Sequence, residues 1–243
     1  MPERILLGML TPSSNTVLEP VTSAMLAGLP DASAHFGRFR VTEISLRDEA
    51  LNQFDNAPLL RAAELLADAR VNVIAWNGTS AGWLGFDADE ALCRAITAAT
   101  GIAACTSVLA LNQALQLYGA RRIGLVTPYL HNVQDKIIQN YSQSGFEIVA
   151  ERHLNDPGNF SFSEVSATAL RQMIYEVAAS KPDAITTFCT NLRAAPLVEE
   201  LEQEIGIPIL DTISVVVWQS LRLAGADPTR VQGWGRLFRE LNA

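Results

Sequence analysis

One pattern occurs twice in this chain, and it constrains the fold more than any other feature. Thr106-Ser-Val-Leu-Ala-Leu-Asn-Gln113-Ala-Leu115-Gln-Leu117-Tyr-Gly119-Ala120 matches Thr212-Ile-Ser-Val-Val-Val-Trp-Gln219-Ser-Leu221-Arg-Leu223-Ala-Gly225-Ala226 at Thr, Gln, both Leu, Gly and Ala. Each copy follows a Gly-Ile pair, Gly101-Ile102 or Gly206-Ile207. Upstream, the run ending Gly78-Thr79-Ser80 parallels the run ending Cys189-Thr190-Asn191, and the run ending Thr11-Pro12 parallels the one ending Thr127-Pro128. Three matches in the same order, with a slowly drifting offset, describe a duplicated unit with small loop insertions. Two copies are too few for a solenoid.

The unit itself alternates strand and helix. Short apolar runs at Ile5–Thr11, Val71–Trp76, Ile123–Thr127, Phe146–Ala150 and Ala184–Phe188 stop at turn residues and read as buried strands. Helical spacing predicts helices over Leu59–Arg70, Ala88–Ala99, Thr106–Tyr118, Val133–Ser144, Val165–Ala179, Leu197–Ile205 and Thr212–Leu223. Alternation of this kind predicts an α/β fold with mainly parallel sheets. The 243 residues divide into two related lobes, 1–118 and 119–225, with 226–243 packing back on the first. Ligands of parallel sheets bind at the carboxyl ends of the strands. Facing lobes would therefore bring the turns at Pro12, Gly78, Pro128 and Cys189 into one cleft.

The composition excludes several functions. The net charge is −8, with 18 basic and 26 acidic residues, which argues against nucleic acid or an anionic membrane as partner. Three cysteines without a CxxC spacing, and His35, His131 and His153 without ligand spacing, give no metal signal. No GxGxxG or GxxxxGK[ST] occurs, so no nucleotide cofactor is implied. Gly78-Thr79-Ser80-Ala81-Gly82 matches Gly-x-Ser-x-Gly by letter, but an acid and a late histidine do not follow in order. The apolar run at Ile5–Leu10 is too short for a signal sequence or a membrane span, so a cytoplasmic protein is expected.

The chemistry concentrates at the turns. Thr79, Ser80 and Thr190 offer hydroxyls, and strand-end backbone N–H groups offer further donors for a carboxylate. Such a donor set stabilises the enediolate formed when the α-carbon of a bound carboxylate carries negative charge. Cys189 stands either as a small buried apolar residue or as the group that moves a proton at that carbon. Cys93 and Cys105 lie in or beside helical segments and read as packing residues. The Pro12-Ser13-Ser14-Asn15 turn either caps the next helix or adds donors to the cleft. Tyr129 either donates into the cleft or packs. A two-lobed binding protein for a small acid is compatible with the same pattern.

These turns resemble the aspartate/glutamate racemase superfamily, in the branch that contains arylmalonate decarboxylase and maleate cis–trans isomerase. The resemblance runs nearly end to end and rests on Thr11-Pro12-Ser13-Ser14-Asn15-Thr16, Gly78-Thr79-Ser80, Thr127-Pro128-Tyr129, Cys189, and a tail around Gly233-Trp-Gly-Arg-Leu-Phe238. It implies two Rossmann-like lobes related by a pseudo-twofold axis, each with a parallel four-stranded sheet, and an active site between them. It implies a small dicarboxylate or malonate-type substrate, no cofactor and no metal, and it leaves an oligomer open. It assigns Cys189 as the proton-transferring group, with Pro12, Asn15, Gly78, Thr79, Ser80, Tyr129 and Thr190 as substrate contacts. It also suggests His35–Val41 for an apolar pocket and Asn159 as a further contact. The family's racemases and isomerases use two cysteines, one per lobe, and the first belongs where this chain has Gly78. That departure points to decarboxylation of a substituted malonate, with isomerisation or racemisation of a small dicarboxylate as the alternative. The duplication further predicts that Gly78→Cys would supply the second acid/base.

Overall fold

Four short segments in each half form the strands, and among the described residues they pair only within their own half. The computed structural model describes residues 4–41 and 56–241. In the first half β1 is Ile5–Pro12, β2 Ala32–Phe39, β3 Val73–Trp76 and β4 Ala103–Thr106. In the second half β5 is Arg122–Thr127, β6 Glu147–His153, β7 Ala184–Thr187 and β8 Ile209–Asp211. The sheets run β2-β1-β3-β4 and β6-β5-β7-β8, with every pairing parallel. The expected two-lobed α/β architecture with four-stranded parallel sheets is the observed one.

The helices are α1 (Leu18–Leu26), α2 (Asn56–Asp68), α3 (Ala81–Leu84), α4 (Phe86–Thr100), α5 (Ser107–Leu117), α6 (His131–Gln143), α7 (Ala167–Ala178), α8 (Val198–Ile205), α9 (Thr212–Leu223) and α10 (Arg236–Glu240). The sequence pattern missed α1, α3, α10, β2, β4 and β8. β2 reads Ala-Ser-Ala-His-Phe-Gly-Arg-Phe and is half-buried along most of its length, so it lacks a continuous apolar run. β4 and β8 span four and three residues, too few to show a period.

The duplicated motif has a physical cause at its carboxyl end. After α5 the N–H of Ala120 donates to Leu115 O and that of Gly119 to Gln116 O; after α9 the N–H of Ala226 donates to Leu221 O and that of Gly225 to Arg222 O. Both are Schellman caps, and each needs the left-handed backbone that glycine adopts freely, with φ of 66° at Gly119 and 73° at Gly225. The amino end of the motif slips by one residue. Thr106 Oγ1 accepts from Leu109 N and caps α5, whereas Asp211, not Thr212, caps α9 by accepting from Ile213 N and Ser214 N. Sheet register agrees with the slip, because Trp76 pairs with Thr106 and Thr187 pairs with Asp211. Trp76 and Thr187 are therefore equivalent positions, and so, two residues later, are Gly78 and Cys189.

The lobes interlock through α9. Nine residues of this helix are buried, among them Val215, Val216, Val217 and Trp218, as befits a helix apolar on nearly all sides. It packs against α5 and against β1, β3 and β4 of the first sheet. The tail divides its contacts. Arg230 forms an ion pair with Asp31 of the first lobe, while Gly235 N donates to Glu199, Arg236 N to Glu202, and Arg239 pairs with Glu199, all on α8. The Trp218 indole N–H donates to Leu241 O and closes the chain end over α9.

Candidate active site

Parallel pairing in both sheets puts the carboxyl ends of β1, β3, β5 and β7 at the interface between the lobes. The turns that follow these strands line one narrow cleft formed by Pro12, Val41, Trp76, Gly78, Thr79, Ser80, Trp83, Tyr129, Asn159, Cys189 and Thr190. Its volume is about 20 Å³, roughly the space of a single water-sized sphere. A wider hollow of about 660 Å³ lies elsewhere, along Gln113, Gln219, Arg222 and Asp227, and shares no residue with the cleft.

Cys189 is 3% exposed and meets the cleft at the end of β7. Burial pushes its thiol pKa up to about 12, and the nearby Asp211 carboxylate pushes the same way. The N–H groups of Asn191 and Leu192 and the Tyr129 hydroxyl oppose that shift. Asn191 N lies 3.4 Å from the sulfur. The balance leaves a neutral thiol at physiological pH, which can give a proton but is a poor nucleophile. Tyr129 is held well above its ordinary pKa, first by burial and then by Cys189. Its hydroxyl shares a 2.5 Å hydrogen bond with Thr79 Oγ1, so a second-lobe phenol and a first-lobe hydroxyl meet beside the thiol.

The donors outnumber their protein acceptors. Among the described residues, the backbone N–H groups of Gly78, Thr79, Ser80 and Thr190 have no protein acceptor. Among the described residues the cleft lining contains hydroxyls, one amide side chain and these N–H groups, but no Lys, Arg, Asp or Glu. An anion would thus be bound by neutral dipoles in a site shielded from water, where each hydrogen bond to charge is strengthened. Among the described residues no group of three or more His, Cys, Asp or Glu could hold a metal ion. His131 and His153, unrelated by sequence spacing, meet at 2.5 Å beside Glu151 on the second lobe.

Of the residues expected from sequence, Pro12, Gly78, Thr79, Ser80, Tyr129, Cys189 and Thr190 line the cleft. Asn15 does not. Its amide is fully committed: Oδ1 accepts from Val17 N and Leu18 N at the start of α1, and Nδ2 donates to Thr190 O and Thr190 Oγ1. It ties the first loop to the second lobe and orients Thr190, whose hydroxyl in turn donates to Asn77 O. Asn159 lines the cleft and belongs to a belt across the lobes. Asn191 Nδ2 donates to Asn159 O, Asn159 Nδ2 to Ser14 Oγ, and Ser14 Oγ to Val41 O.

Trp76 and Trp83 form the apolar wall with Val41, and neither tryptophan was expected there. The available signal was the two-residue period of β3, which puts Trp76 and Gly78 on one face. Their relation is tight. A Cβ built on Gly78 would meet the Trp76 indole at 1.9 Å (Cζ2), 2.4 Å (Cε2) and 2.5 Å (Cη2). For a thiol at position 78 to act as the second acid/base, the Trp76 indole would therefore have to move first.

Known proteins resemble the chain over most of its length. A family model described as arylmalonate decarboxylase matches residues 8–238. Maleate isomerase of Geobacillus stearothermophilus is 27% identical over 233 residues, covering 91% of this chain and 92% of that protein. Arylmalonate decarboxylase of Bordetella bronchiseptica is 27% identical over 171 residues, 69% of this chain and 71% of its own length. Among solved structures, a mutant Nocardia farcinica maleate cis–trans isomerase with a covalently bound succinylcysteine intermediate superposes with a TM-score of 0.87 at 27% identity, covering 97% of this chain and 98% of that one.

Proposed function

Because the chain belongs to the arylmalonate decarboxylase family, we infer that it is a cofactor-independent enzyme that decarboxylates a substituted malonate. One observation carries this reading: a neutral buried thiol at Cys189 faces a cleft of hydroxyl and N–H donors whose pseudo-equivalent position is Gly78. A single proton donor suffices for decarboxylation, whereas proton removal on one face and return on the other needs two.

In this mechanism one carboxylate of the malonate accepts hydrogen bonds from the Ser80 hydroxyl, from one hydroxyl of the Thr79–Tyr129 pair (the other donates within the pair), and from the free N–H groups of Gly78–Ser80 and Thr190. The second carboxylate lies against Trp76, Trp83 and Val41, where it is poorly solvated. Its bond to the α-carbon breaks, carbon dioxide leaves, and the electron pair spreads into the bound carboxylate as an enediolate. The donors stabilise that added charge, an effect worth about 10²–10³ in rate per donor. Cys189 then gives its proton to the α-carbon, and the thiolate is reprotonated from solvent. The net change is uptake of one proton and release of carbon dioxide.

The test is to incubate the enzyme with aryl-, alkyl- and alkenylmalonates and follow proton uptake, with Cys189→Ala as control. In deuterium oxide the product should carry one α-deuteron, and Cys189→Ala should lose at least about 10³-fold in rate. No turnover with any malonate, together with conversion of maleate to fumarate, overturns the reading. Isomerisation of a small cis-dicarboxylate is the second reading. It draws support from the maleate isomerase relative, which aligns over a larger share of this chain than the decarboxylase relative does.

A further inference from the structure

We propose that Trp76 is the specificity-determining residue of the cleft, its indole standing in the space of a residue-78 side chain and restricting the site to malonates with one compact substituent. The proposal rests on the decarboxylase reading for its substrate class, but its geometry is independent of it. Trp76 ends β3, is 1% exposed, and packs against Phe39 in a tilted arrangement, 4.9 Å between centroids and 53° between planes. Phe39 ends the edge strand β2, which β1 separates from β3, and is itself buried, so the indole is held by a ring reaching across the end of β1. The overlap with a residue-78 Cβ involves three ring atoms, all within 2.5 Å. No side chain at 78 fits unless this ring leaves.

The second lobe shows what the alternative looks like. The position equivalent to Trp76 is Thr187, whose small side chain turns to donate to Asp211 Oδ2. Two residues later Cys189 then has room for its side chain. Trp76 with Gly78, and Thr187 with Cys189, are thus two solutions of one packing problem: a large residue behind an empty position, or a small residue behind a reactive one. The first exchanges a titrating group for an apolar surface and consumes the volume a larger substrate would need. Gly82 repeats the arrangement one turn further on, where its Cβ would meet the Phe188 ring at 2.7 Å.

The experiment is a double-mutant cycle with Trp76→Thr and Gly78→Cys, read by thermal unfolding and by counting alkylated thiols by mass. Gly78→Cys alone should lower the melting temperature by about 2–12 °C, the range for overpacking a core in a chain of this size. In the double variant that loss should vanish relative to Trp76→Thr, and the introduced thiol should alkylate. Trp76→Thr should also raise the ratio of kcat/KM for phenylmalonate over methylmalonate by about 10-fold or more, as expected for room opened in an apolar pocket. Additive melting losses overturn the shared-space argument. An unchanged substrate ratio overturns the specificity role. Absence of malonate turnover in the wild type refutes the decarboxylase reading, while the stability cycle still decides the pairing of Trp76 with Gly78.

Discussion

Replacing Asp211 by Asn tests the electrostatics behind Cys189. Asp211 is fully buried at the end of β8 and accepts hydrogen bonds from Thr187 Oγ1 at 2.7 Å, Ile213 N at 2.8 Å and Ser214 N at 3.3 Å. Burial raises its pKa from 3.8 to about 6, against the lowering effect of those three donors. The folded chain therefore holds this proton more tightly than the unfolded chain does. The stability contributed by the protonated carboxyl is complete below about pH 3.8 and is lost as the pH rises through about 6. A shift of roughly two units corresponds to about 3 kcal/mol. Asn keeps an oxygen that caps α9 nearly as well as Asp does, and it never ionises. The stability of Asp211→Asn relative to wild type should thus rise by about 3 kcal/mol between roughly pH 4 and pH 7. Urea unfolding of both proteins across that interval measures the difference directly. A difference that is flat, or that falls with pH, refutes the assignment of a buried, costly charge at Asp211. The Asp211 carboxylate also raises the Cys189 thiol pKa, so the variant should alkylate at Cys189 faster at a fixed alkaline pH. An unchanged alkylation rate would disconnect Asp211 from the thiol.

Other perturbations address single links in the same structure. Tyr129→Phe removes the hydroxyl shared with Thr79 and should lower kcat by about 10²–10³-fold with the thermal transition nearly unchanged; full activity would exclude Tyr129 as a donor to the enediolate. Gly119→Ala and Gly225→Ala force alanine into left-handed backbone and should each lose about 1 kcal/mol in urea unfolding. Unequal losses would show that the two Schellman caps are not equivalent. Asn15→Ala strips four hydrogen bonds that join the first loop to α1 and Thr190, and should destabilise by about 2–3 kcal/mol. It should also raise KM by misplacing Thr190, and a variant of normal stability and KM would reverse that role.

The duplication was legible because capping is local chemistry. Leu115, Gly119 and Ala120, and their partners Leu221, Gly225 and Ala226, make hydrogen bonds within six residues, so their spacing alone reports the structure. The central strands were legible for a similar reason, since burial on both faces leaves an unbroken apolar run. Cys189 stood out because it ends such a run. The edge strand β2 has no such signature, because among the described residues no strand pairs with its outer side and its residues are only half-buried. The equivalence of Thr106 with Asp211, rather than with Thr212, required the register of the paired strands. The type of Asn15 and its place in the turn are legible, but that its Nδ2 donates to Thr190, 175 positions away, is decided by the docking of the lobes. Trp76 marks the boundary most clearly. Its identity and two-residue spacing from Gly78 were visible throughout, but whether its ring fills the space beside Gly78 depends on Phe39 and on the sheet behind it. Backbone hydrogen bonds a few residues apart leave a record in local sequence; occupancy of volume between strands distant in the chain is a property of packing and exists only once the sheet has formed.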